Sequence, residues 1–561
     1  MKNYRHYVLL VLLLFTPLLP AQEQLLDVLS KEADRNLELL RQEEVPAYYI
    51  SYRVYQNSDQ TFSSQFGGSD TPVREESRML HVIVRVGDVQ LDNTHEVKGD
   101  FFGSQNEGQS ILFPLSDDPE AIRLALWVAT DKYYKNAVQR YKKVKANVAV
   151  SVEAEDKSPD FTKESAEVYI EKKLTLKDLK YDENEIERKL NKYTSLFLKN
   201  KDILSGDAFF RAGIQQMYFA DTEGRKIFQN DASVRLGLNA YTIANDGMSL
   251  PLYVSYFGFK ASDLPSDKKI LADVAEMSDM LSQLKKAPVA DSYTGPAILS
   301  SKATGVFFHE FFGHRVEGAR MKLEGDAQTF KKKVSQSVLP GDMSVYFDPT
   351  LKEYKNTLLS GRYVFDDEGI RGQRVDVVDK GTLKSFLMSR TPIDGFLNSN
   401  GHGRGMIYYD PVTRQSNMIV ETNNPFTPGE LRAKLRDELK KQGKPYGYYF
   451  GEVSGGFTNT TRFDANAFNV TPLIVYRIYA DGRPDELVRG VNLIGTPLSV
   501  FSQIMACGDD YEVFNGYCGA ESGSIPVSCV APTMLIKTVE TQKSGKSTAQ
   551  PPVLERPSVN F

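Results

Sequence analysis

The sequence predicts an α+β protein of two domains, an N-terminal domain built on an α/β-mixed sheet and a C-terminal strand-rich domain. Three observations predict this class. The 561 residues are 41% hydrophobic and 25% charged, which is typical of globular chains and excludes a chain that is disordered throughout. Segments of helical and of strand periodicity both occur in the first half. The second half is richer in glycine and in short strand patterns, and it has few clear helices.

The charge balance and the cysteine count exclude several functional classes. Lys and Arg total 68 against 73 Asp and Glu, and a formal net charge of −5 gives no basic footprint of a nucleic-acid binder. Three cysteines are too few for a disulfide-stapled scaffold. Beyond the N-terminus, no stretch of the sequence is long and apolar enough to span a membrane.

Residues 1–21 are expected to be a secretory signal peptide. Lys2 and Arg5 supply a positive start, an apolar run covers residues 7–19, and Ala21 precedes a polar segment. The alternative is an N-terminal membrane anchor, but the run is short for a span of roughly 20 residues. We expect cleavage near Ala21 and a mature protein that is secreted or periplasmic.

Residues 22–290 are predicted to form the N-terminal domain. Asp118 as N-cap and Pro119 in the first turn open a long helix. Residues 218–228 predict a hairpin with its turn at residues 221–224. Pro288 breaks the last helix and marks the domain boundary. Other helices are predicted over residues 23–41, 184–199 and 267–286, and strands over residues 47–55 and 79–89.

Residues 291–541 are predicted to form the C-terminal domain, and residues 542–561 a flexible tail rich in Ser, Lys and Pro. Short strands are expected at residues 297–299, 362–365, 374–377, 473–480 and 486–493. The clear helices are near residues 303–315, 428–441 and 498–505.

The strongest chemical signal is the segment HEFFGH at residues 309–314. Histidines four apart share a helix face, whereas His309 and His314 are five apart and would be rotated by about 140° on a regular helix. They converge only if the helix widens locally or ends between them, and Gly313 lies where such a distortion costs least. The flanking phenylalanines predict a buried helix, in which two histidines and Glu310 need partners. We therefore predict a buried metal-binding helix; the alternative is two satisfied core histidines and an ion-paired glutamate.

Two histidines cannot complete a catalytic zinc site, because such a site takes about three protein ligands and a water. Candidates for the third ligand are Glu317, three residues after His314, the distant Cys518, and His402 in a glycine-rich loop. Spacing alone does not choose among them.

The segment GVFFHEFFGHRVEG at residues 305–318 resembles the TldD signature of the TldD/PmbA (TldD/TldE) family of zinc metallopeptidases. Further segments resemble the family's motifs in the correct order: FDDEG at residues 365–369, RQSN at 414–417, LIG at 493–495 and CGAESGSIPV at 518–527. The last differs from the family's C-G-K-x-G-Q-x-V-P-V at the Lys, the second Gly and the Gln. The resemblance covers most of the mature chain and is strongest from about residue 295 to residue 536.

The resemblance implies a role for each matching residue. His309, His314 and Cys518 would bind Zn2+. Glu310 would be the general base that activates a zinc-bound water and then passes the proton to the leaving amine. Glu317 would orient a metal ligand without binding the metal itself.

Two other segments have alternative interpretations. Arg414 and Asn417 would hold substrate backbone or an oxyanion, or they have a purely structural role in their loop. For residues 366–368 of the FDDEG segment, the alternative to a role shared with the family is a solvated turn.

The remaining cysteines bear on the compartment. Cys507 and Cys529 lie eleven residues either side of Cys518, and they would form a disulfide if the protein is exported to an oxidising compartment. The alternative is two buried thiols.

The sequence therefore predicts an exported zinc peptidase that hydrolyses unfolded or extended polypeptides. The resemblance also implies two subunits around an enclosed chamber, the partner being a second copy or a PmbA/TldE-like paralogue that lacks the metal. The alternative is a non-catalytic protein on the same scaffold that binds peptides or modulates another protein. A third, weaker hypothesis is hydrolysis of another amide or of an ester.

Overall fold

The computed structural model describes residues 21–99, 111–150, 155–462, 468–495, 501–544, 553–554 and 556–557. The predicted signal peptide lies outside these ranges except for Ala21, and so does most of the predicted tail at residues 542–561. None of the helices in the described ranges has both the length and the apolar character needed to cross a membrane.

The first domain is a sheet of eight strands, as far as the structure describes the chain, covered by four helices. Its strands are β1 (Ala47–Gln65), β2 (Gly68–Ser69), β3 (Val73–Val86), β4 (Ile111–Leu112), β5 (Val168–Ile170), β6 (Ser205–Asp221), β7 (Lys226–Ile243) and β8 (Ser249–Gly258). Its helices are α1 (Ala21–Leu40), α2 (Pro119–Val150), α3 (Glu183–Ser195) and α4 (Asp267–Lys286). The strand order is β4-β3-β1-β6-β7-β5, with β2 beside β1 and β8 beside β7.

Alternation along β7 gives this part of the sheet two different faces. Val234, Leu236 and Leu238 are buried in a core that α3 and α4 share. Arg235 and Asn239 lie on the opposite face, because successive side chains of a strand alternate. This polar face borders the cavity of the candidate site.

Local signals in the first domain predict the element types, but the strands are longer than expected. The helix predicted over residues 267–286 is α4 with the same bounds. The hairpin turn at residues 221–224 joins β6 to β7, and Gly224 takes the φ of +93° that favours glycine. Beyond the predicted strands at residues 47–55 and 79–89, the polar outer halves of β1 and β3 still pair with each other. Backbone pairing therefore extends past the apolar pattern that predicts it.

The second domain is a sheet of twelve strands in the described ranges, with two small ribbons and two α-helices. Its strands, the ribbons included, are β9 (Tyr293–Leu299), β10 (Met343–Phe347), β11 (Glu353–Tyr354), β12 (Thr357–Leu358), β13 (Val375–Asp379), β14 (Thr382–Leu383), β15 (Gly403–Arg404), β16 (Val412–Thr413), β17 (Asn417–Thr422), β18 (Pro425–Phe426), β19 (Tyr446–Thr458), β20 (Phe468–Tyr479), β21 (Glu486–Val488), β22 (Val491–Gly495), β23 (Ile504–Ala520) and β24 (Gly523–Lys543). Its helices are α5 (Ser301–Phe311) and α6 (Pro428–Lys441).

The long sheet of the second domain closes on itself. The main order is β14-β13-β10-β17-β24-β22-β20-β19-β9, and β9 pairs again with β24. The last five strands of this order therefore form a ring, and α5 packs against β24, β19 and β23 with its apolar side chains in the same core. The first domain's last helix ends at Lys286 and this sheet begins at Tyr293, so the boundary proposed near residue 290 lies between them.

One element predicted in the second domain is wrong, and another lies partly outside the described residues. Residues 362–365 form no strand, and the Phe365 amide instead donates a hydrogen bond to the side chain of Gln229 at 2.9 Å. Of the helix expected at residues 498–505, the part up to residue 500 lies outside the described residues, Phe501 is helical, and Ile504 begins β23. The predicted C-terminal end is therefore too late, because Ile504 pairs with β24.

The acidic residues 366–368 lie at the junction between the two domains. Asp366 is buried and accepts hydrogen bonds from three backbone N–H groups. Asp367 lies 3.6 Å from the guanidinium of Arg53, which β1 contributes from the first domain. The alternative of a solvated turn is therefore wrong, because Asp366 is buried against backbone of the second domain and Asp367 lies beside an arginine of the first.

Candidate metal centre

α5 ends between the two histidines of the HEFFGH segment. Its last residue is Phe311, and Gly313–Arg315 continue as a single 3-10 turn. The two imidazole rings come to lie 4.9 Å apart, centre to centre. Of the two ways in which histidines five apart can converge, this chain uses the helix end.

Gly313 is required by a close contact rather than by its backbone angle. Its φ is not positive, but a Cβ at this position would lie 1.9 Å from Oε1 of Gln415. The Gln415 side chain donates a hydrogen bond to the carbonyl of His309 at 3.3 Å. The missing side chain therefore lets Gln415 brace the last turn of α5.

Three buried side chains converge beyond the end of α5. Nε2 of His309 lies 3.1 Å, and Nε2 of His314 lies 3.4 Å, from Sγ of Cys518. The three ligand atoms all lie within 4.8 Å of one another. Ligands held tetrahedrally by zinc at about 2.0–2.3 Å would be about 3.5 Å apart, so the spacing fits one zinc ion. Two imidazoles and a thiolate leave a fourth position for water or substrate.

The charges of the histidines favour the thiolate of Cys518, which is the form that binds zinc. Burial alone would raise the pKa of this thiol, but His314 and His309 lower it well below its ordinary value. Burial alone would likewise lower the pKa of His314, but Glu317 and Cys518 outweigh it and raise that pKa to about 9. The cluster is thus built around a negatively charged sulfur.

Glu317 orients His314 from the side away from the sulfur. Its Oε2 lies 3.1 Å from Nδ1 of His314, so that Nε2 faces Cys518. Arg320 donates to the same oxygen at 2.8 Å. Burial alone would raise the pKa of Glu317, but His314 and Arg320 lower it to about 2. Glu317 therefore stays ionised outside the ligand set, in the position proposed for it.

His402, the other candidate for the third ligand, is a satisfied core histidine. Its Nε2 lies 3.1 Å from the Ser416 hydroxyl and its Nδ1 lies 3.0 Å from Oδ1 of Asn400. Burial lowers its pKa to about 3. Cys518 is therefore the third residue that the fold brings to the two histidines of α5.

Arg414 and Asn417 have partners within the protein, as the structural alternative expects, and their substrate-binding role stays a prediction. Both side chains are 0% exposed. Arg414 donates to the carbonyl of Cys518 at 2.7 Å and to two groups of the turn that follows β23. Asn417 donates to two loop carbonyls. Arg414 therefore positions the strand that carries Cys518, while Asn417 fixes a neighbouring loop.

Cys507 and Cys529 are free thiols, so the proposed disulfide is wrong. In the β23–β24 hairpin Cys507 pairs with Met534, five positions beyond Cys529. That offset is roughly 17 Å at strand spacing, which a disulfide cannot bridge. Equal spacing on either side of Cys518 would bring Cys507 and Cys529 opposite each other only if the hairpin turned at Cys518. The hairpin turns at residues 521–522.

Glu310 borders a cavity of about 720 Å³ together with the three clustered residues. Gly456 of β19 packs against it, since a Cβ there would lie 2.5 Å from Cγ of Glu310. Arg315 donates to the backbone carbonyl of Glu310 at 2.8 Å and fixes the end of α5. Glu310 thus lies beside the cluster without supplying one of its ligand atoms.

The cavity lies between the two domains. One wall is the face of β7 and β8 that carries Arg235, Asn239 and Tyr253. The opposite wall is formed by the end of β19 and by β23 around Tyr517. β19 pairs with β9 only at residues 448–450, so in the described part of the chain its later residues keep one edge without a strand partner.

Residues 292–543, which include the whole cluster, match the family model described as the PmbA/TldA metallopeptidase C-terminal domain. By this match the second domain belongs to the PmbA/TldD family. The match begins at the first strand of the second domain and ends with β24.

Individual proteins resemble the chain over part of its length. A protein named metalloprotease from Archaeoglobus fulgidus is 30% identical over 262 residues, which are 47% of this chain and 56% of that protein. A protein named zinc metalloprotease TldD homolog from Saccharolobus solfataricus is 25% identical over 280 residues, 48% of this chain and 57% of that protein. The chain thus spans little more than half the length of these relatives.

The fold is shared along nearly the whole chain. The crystal structure of TldE from Thermococcus kodakarensis superposes with a TM-score of 0.60 and covers 93% of this chain and 100% of that one, at 14% identity. The PmbA/TldD fold therefore includes the first domain as well as the second.

One departure from the PmbA/TldD motif at residues 518–527 has a structural explanation. Ser522 stands where the family has its second glycine, and Gly523 follows. The positive φ of the hairpin turn falls at Gly523, at +85°, so Ser522 has no backbone need to be glycine.

Sequence reasoning missed several residues that build the site. Arg320 holds Glu317, and its signal was present, because opposite charges three apart on a helical turn pair readily. Gly456 and Arg235 come from strands far from the HEFFGH segment, so no local pattern associates them with it.

Proposed function

We propose that this chain is a zinc-dependent peptidase that hydrolyses unfolded or extended polypeptides. The proposal rests on the convergence of His309, His314 and Cys518 beside Glu310 at one cavity. The metalloprotease names of its relatives support it.

Each residue of the site has a separate task in this reaction. Zinc held by the two histidines and the thiolate would polarise the peptide carbonyl and lower the pKa of a water molecule. The Glu310 carboxylate would take the proton from that water and deliver it to the leaving amine. Glu317 would keep Nε2 of His314 aimed at the cavity. Arg414 would hold the strand that presents Cys518.

The shape of the cavity favours an extended substrate. The unpaired edge of β19 offers backbone groups to a peptide strand, and Gly455 and Gly456 remove side chains that would block its approach. A folded protein would not enter a cavity of about 720 Å³. The position of Glu310 on this cavity favours a peptidase over a non-catalytic peptide binder on the same scaffold.

Location and assembly are part of the same proposal. The positive and apolar start of residues 1–21 supports export to a periplasm or to the outside of the cell. We also propose a dimer, formed with a second copy or with a TldE-like paralogue, and the shared fold with TldE supports a partner of similar shape.

Removal of the metal is expected to abolish cleavage reversibly. The purified protein should contain about one zinc per chain, as three protein ligands and one open position require. Incubation with a chelator should stop cleavage of an unstructured protein, and added Zn2+ should restore it. A chain that holds no divalent metal and spares every unfolded substrate would contradict the proposal.

A further inference from the structure

Arg235 is a cation on the cavity wall that has no carboxylate partner in the described ranges. Its guanidinium carbon lies 4.9 Å from the centre of the Tyr517 ring, and Nη1 donates to the Asn515 carbonyl at a long 3.4 Å. The other arginine on the cavity, Arg320, is bonded to both Glu317 and a second carboxylate. Arg235 therefore supplies a positive charge that no carboxylate of the described residues neutralises.

The strand pairing shows how this charge is left available. Arg211 of β6 lies directly opposite Arg235 in the β6–β7 ladder, so both side chains are on the same face of the sheet. Arg211 pairs with Asp59 at 3.0 Å. Of these two neighbouring arginines, one is neutralised within its own domain and the other faces the cavity.

We infer that Arg235 binds a carboxylate of the peptide substrate and sets a preference for it; this inference rests on the proposed peptidase function. The carboxylate belongs to an acidic side chain or to the peptide's C-terminus. Arg235 contacts β23 at Asn515, three residues from Cys518, which is roughly 10 Å along a strand. An extended peptide has a similar rise per residue, so the carboxylate lies about three residues from the bond that is cut.

Binding to an inactive chain tests the preference without relying on cleavage. The zinc-loaded Glu310→Gln variant is titrated with labelled, otherwise uncharged peptides that carry Glu or Gln at one position, each with a free or an amidated C-terminus. We expect the tightest Glu or free-acid peptide to bind about tenfold more strongly than its neutral counterpart, as for a charge-assisted hydrogen bond that stays partly solvated. An effect of amidation alone assigns the carboxylate to the C-terminus, and an effect of Glu alone assigns it to a side chain.

Matched arginine variants assign the preference to one residue. In the same background, Arg235→Gln should erase the difference, and Arg235→Glu should reverse it in favour of Lys peptides. Arg211→Gln should leave it unchanged, since Arg211 is 57% exposed and already paired. Equal binding of acidic and neutral peptides, or a preference that survives Arg235→Gln, overturns the inference.

Cleavage by the native chain separates this inference from the proposed function. If neutral and acidic peptides are cut equally well, the peptidase proposal stands and the role of Arg235 fails. If neither is cut while acidic peptides still bind more tightly through Arg235, the peptidase proposal fails and the carboxylate site stands.

Discussion

Replacing Glu310 by glutamine is expected to lower peptide cleavage by at least about 100-fold while the protein keeps its metal. General acid–base catalysis by a positioned side chain contributes about 10²- to 10⁴-fold, and a neutral amide cannot take the proton from water. Glutamine has the shape of glutamate, so its Cγ still fits against Gly456. Zinc content should not change, because Glu310 supplies none of the three clustered ligand atoms.

The matched control for this variant is Glu276→Gln, which makes the same chemical change on the exposed face of α4. Cleavage is measured with one unstructured protein substrate, and zinc by elemental analysis of the same samples. Full activity in Glu310→Gln would remove this residue from the chemistry. Loss of zinc together with activity would assign Glu310 to the ligand set instead.

Replacing Cys518 by alanine is expected to remove both zinc and activity. Mutating a residue that hydrogen-bonds to a metal ligand typically lowers metal affinity about 10- to 100-fold. Loss of one of three direct ligands should lower the zinc affinity by more than the upper end of that range. Cys518 lies three residues before the β23–β24 turn, and its buried side chain lies between the two histidines. The backbone of the hairpin remains paired with alanine in this position, so the fold should survive.

Cys507→Ala provides the control for Cys518→Ala. Cys507 is equally buried in the same strand, but it contacts Met343 instead of the histidines, at 3.9 Å between the sulfurs. This control should keep its zinc and most of its activity. Zinc affinity is measured by competition with a chromophoric chelator, and circular dichroism verifies that both variants are folded. Unchanged affinity in Cys518→Ala would show that the sulfur is not a ligand.

Much of the fold follows from local patterns. The helical pattern over residues 267–286, ended by Pro288, predicts α4 to the residue, and the turn residues at 221–224 predict the β6–β7 hairpin. The closed ring of the second domain does not follow from any local pattern. β9 and β24 pair across more than two hundred residues, and the pairing of Ile504 with Ile536 is also a contact between segments distant in sequence.

In the candidate site, too, local patterns predict some residues, and the packing of distant segments decides the others. The two histidines, Glu310 and the break in α5 can be predicted because five-residue spacing demands an interrupted helix. The choice of Cys518 over His402 depends on how a distant hairpin packs, and motif resemblance supplied it where spacing did not. The resemblance implies a substrate role for Arg414, and no local pattern shows that its guanidinium donates to backbone carbonyls.

The ligand set itself is tested most directly by X-ray absorption at the zinc edge of the purified protein. We expect one sulfur at about 2.3 Å and two nitrogens at about 2.0–2.1 Å, with one lighter oxygen ligand. The sulfur contribution should be retained in Cys507→Ala and absent from any zinc left in Cys518→Ala. A native spectrum that contains only nitrogen and oxygen would contradict a metal centre built from His309, His314 and Cys518.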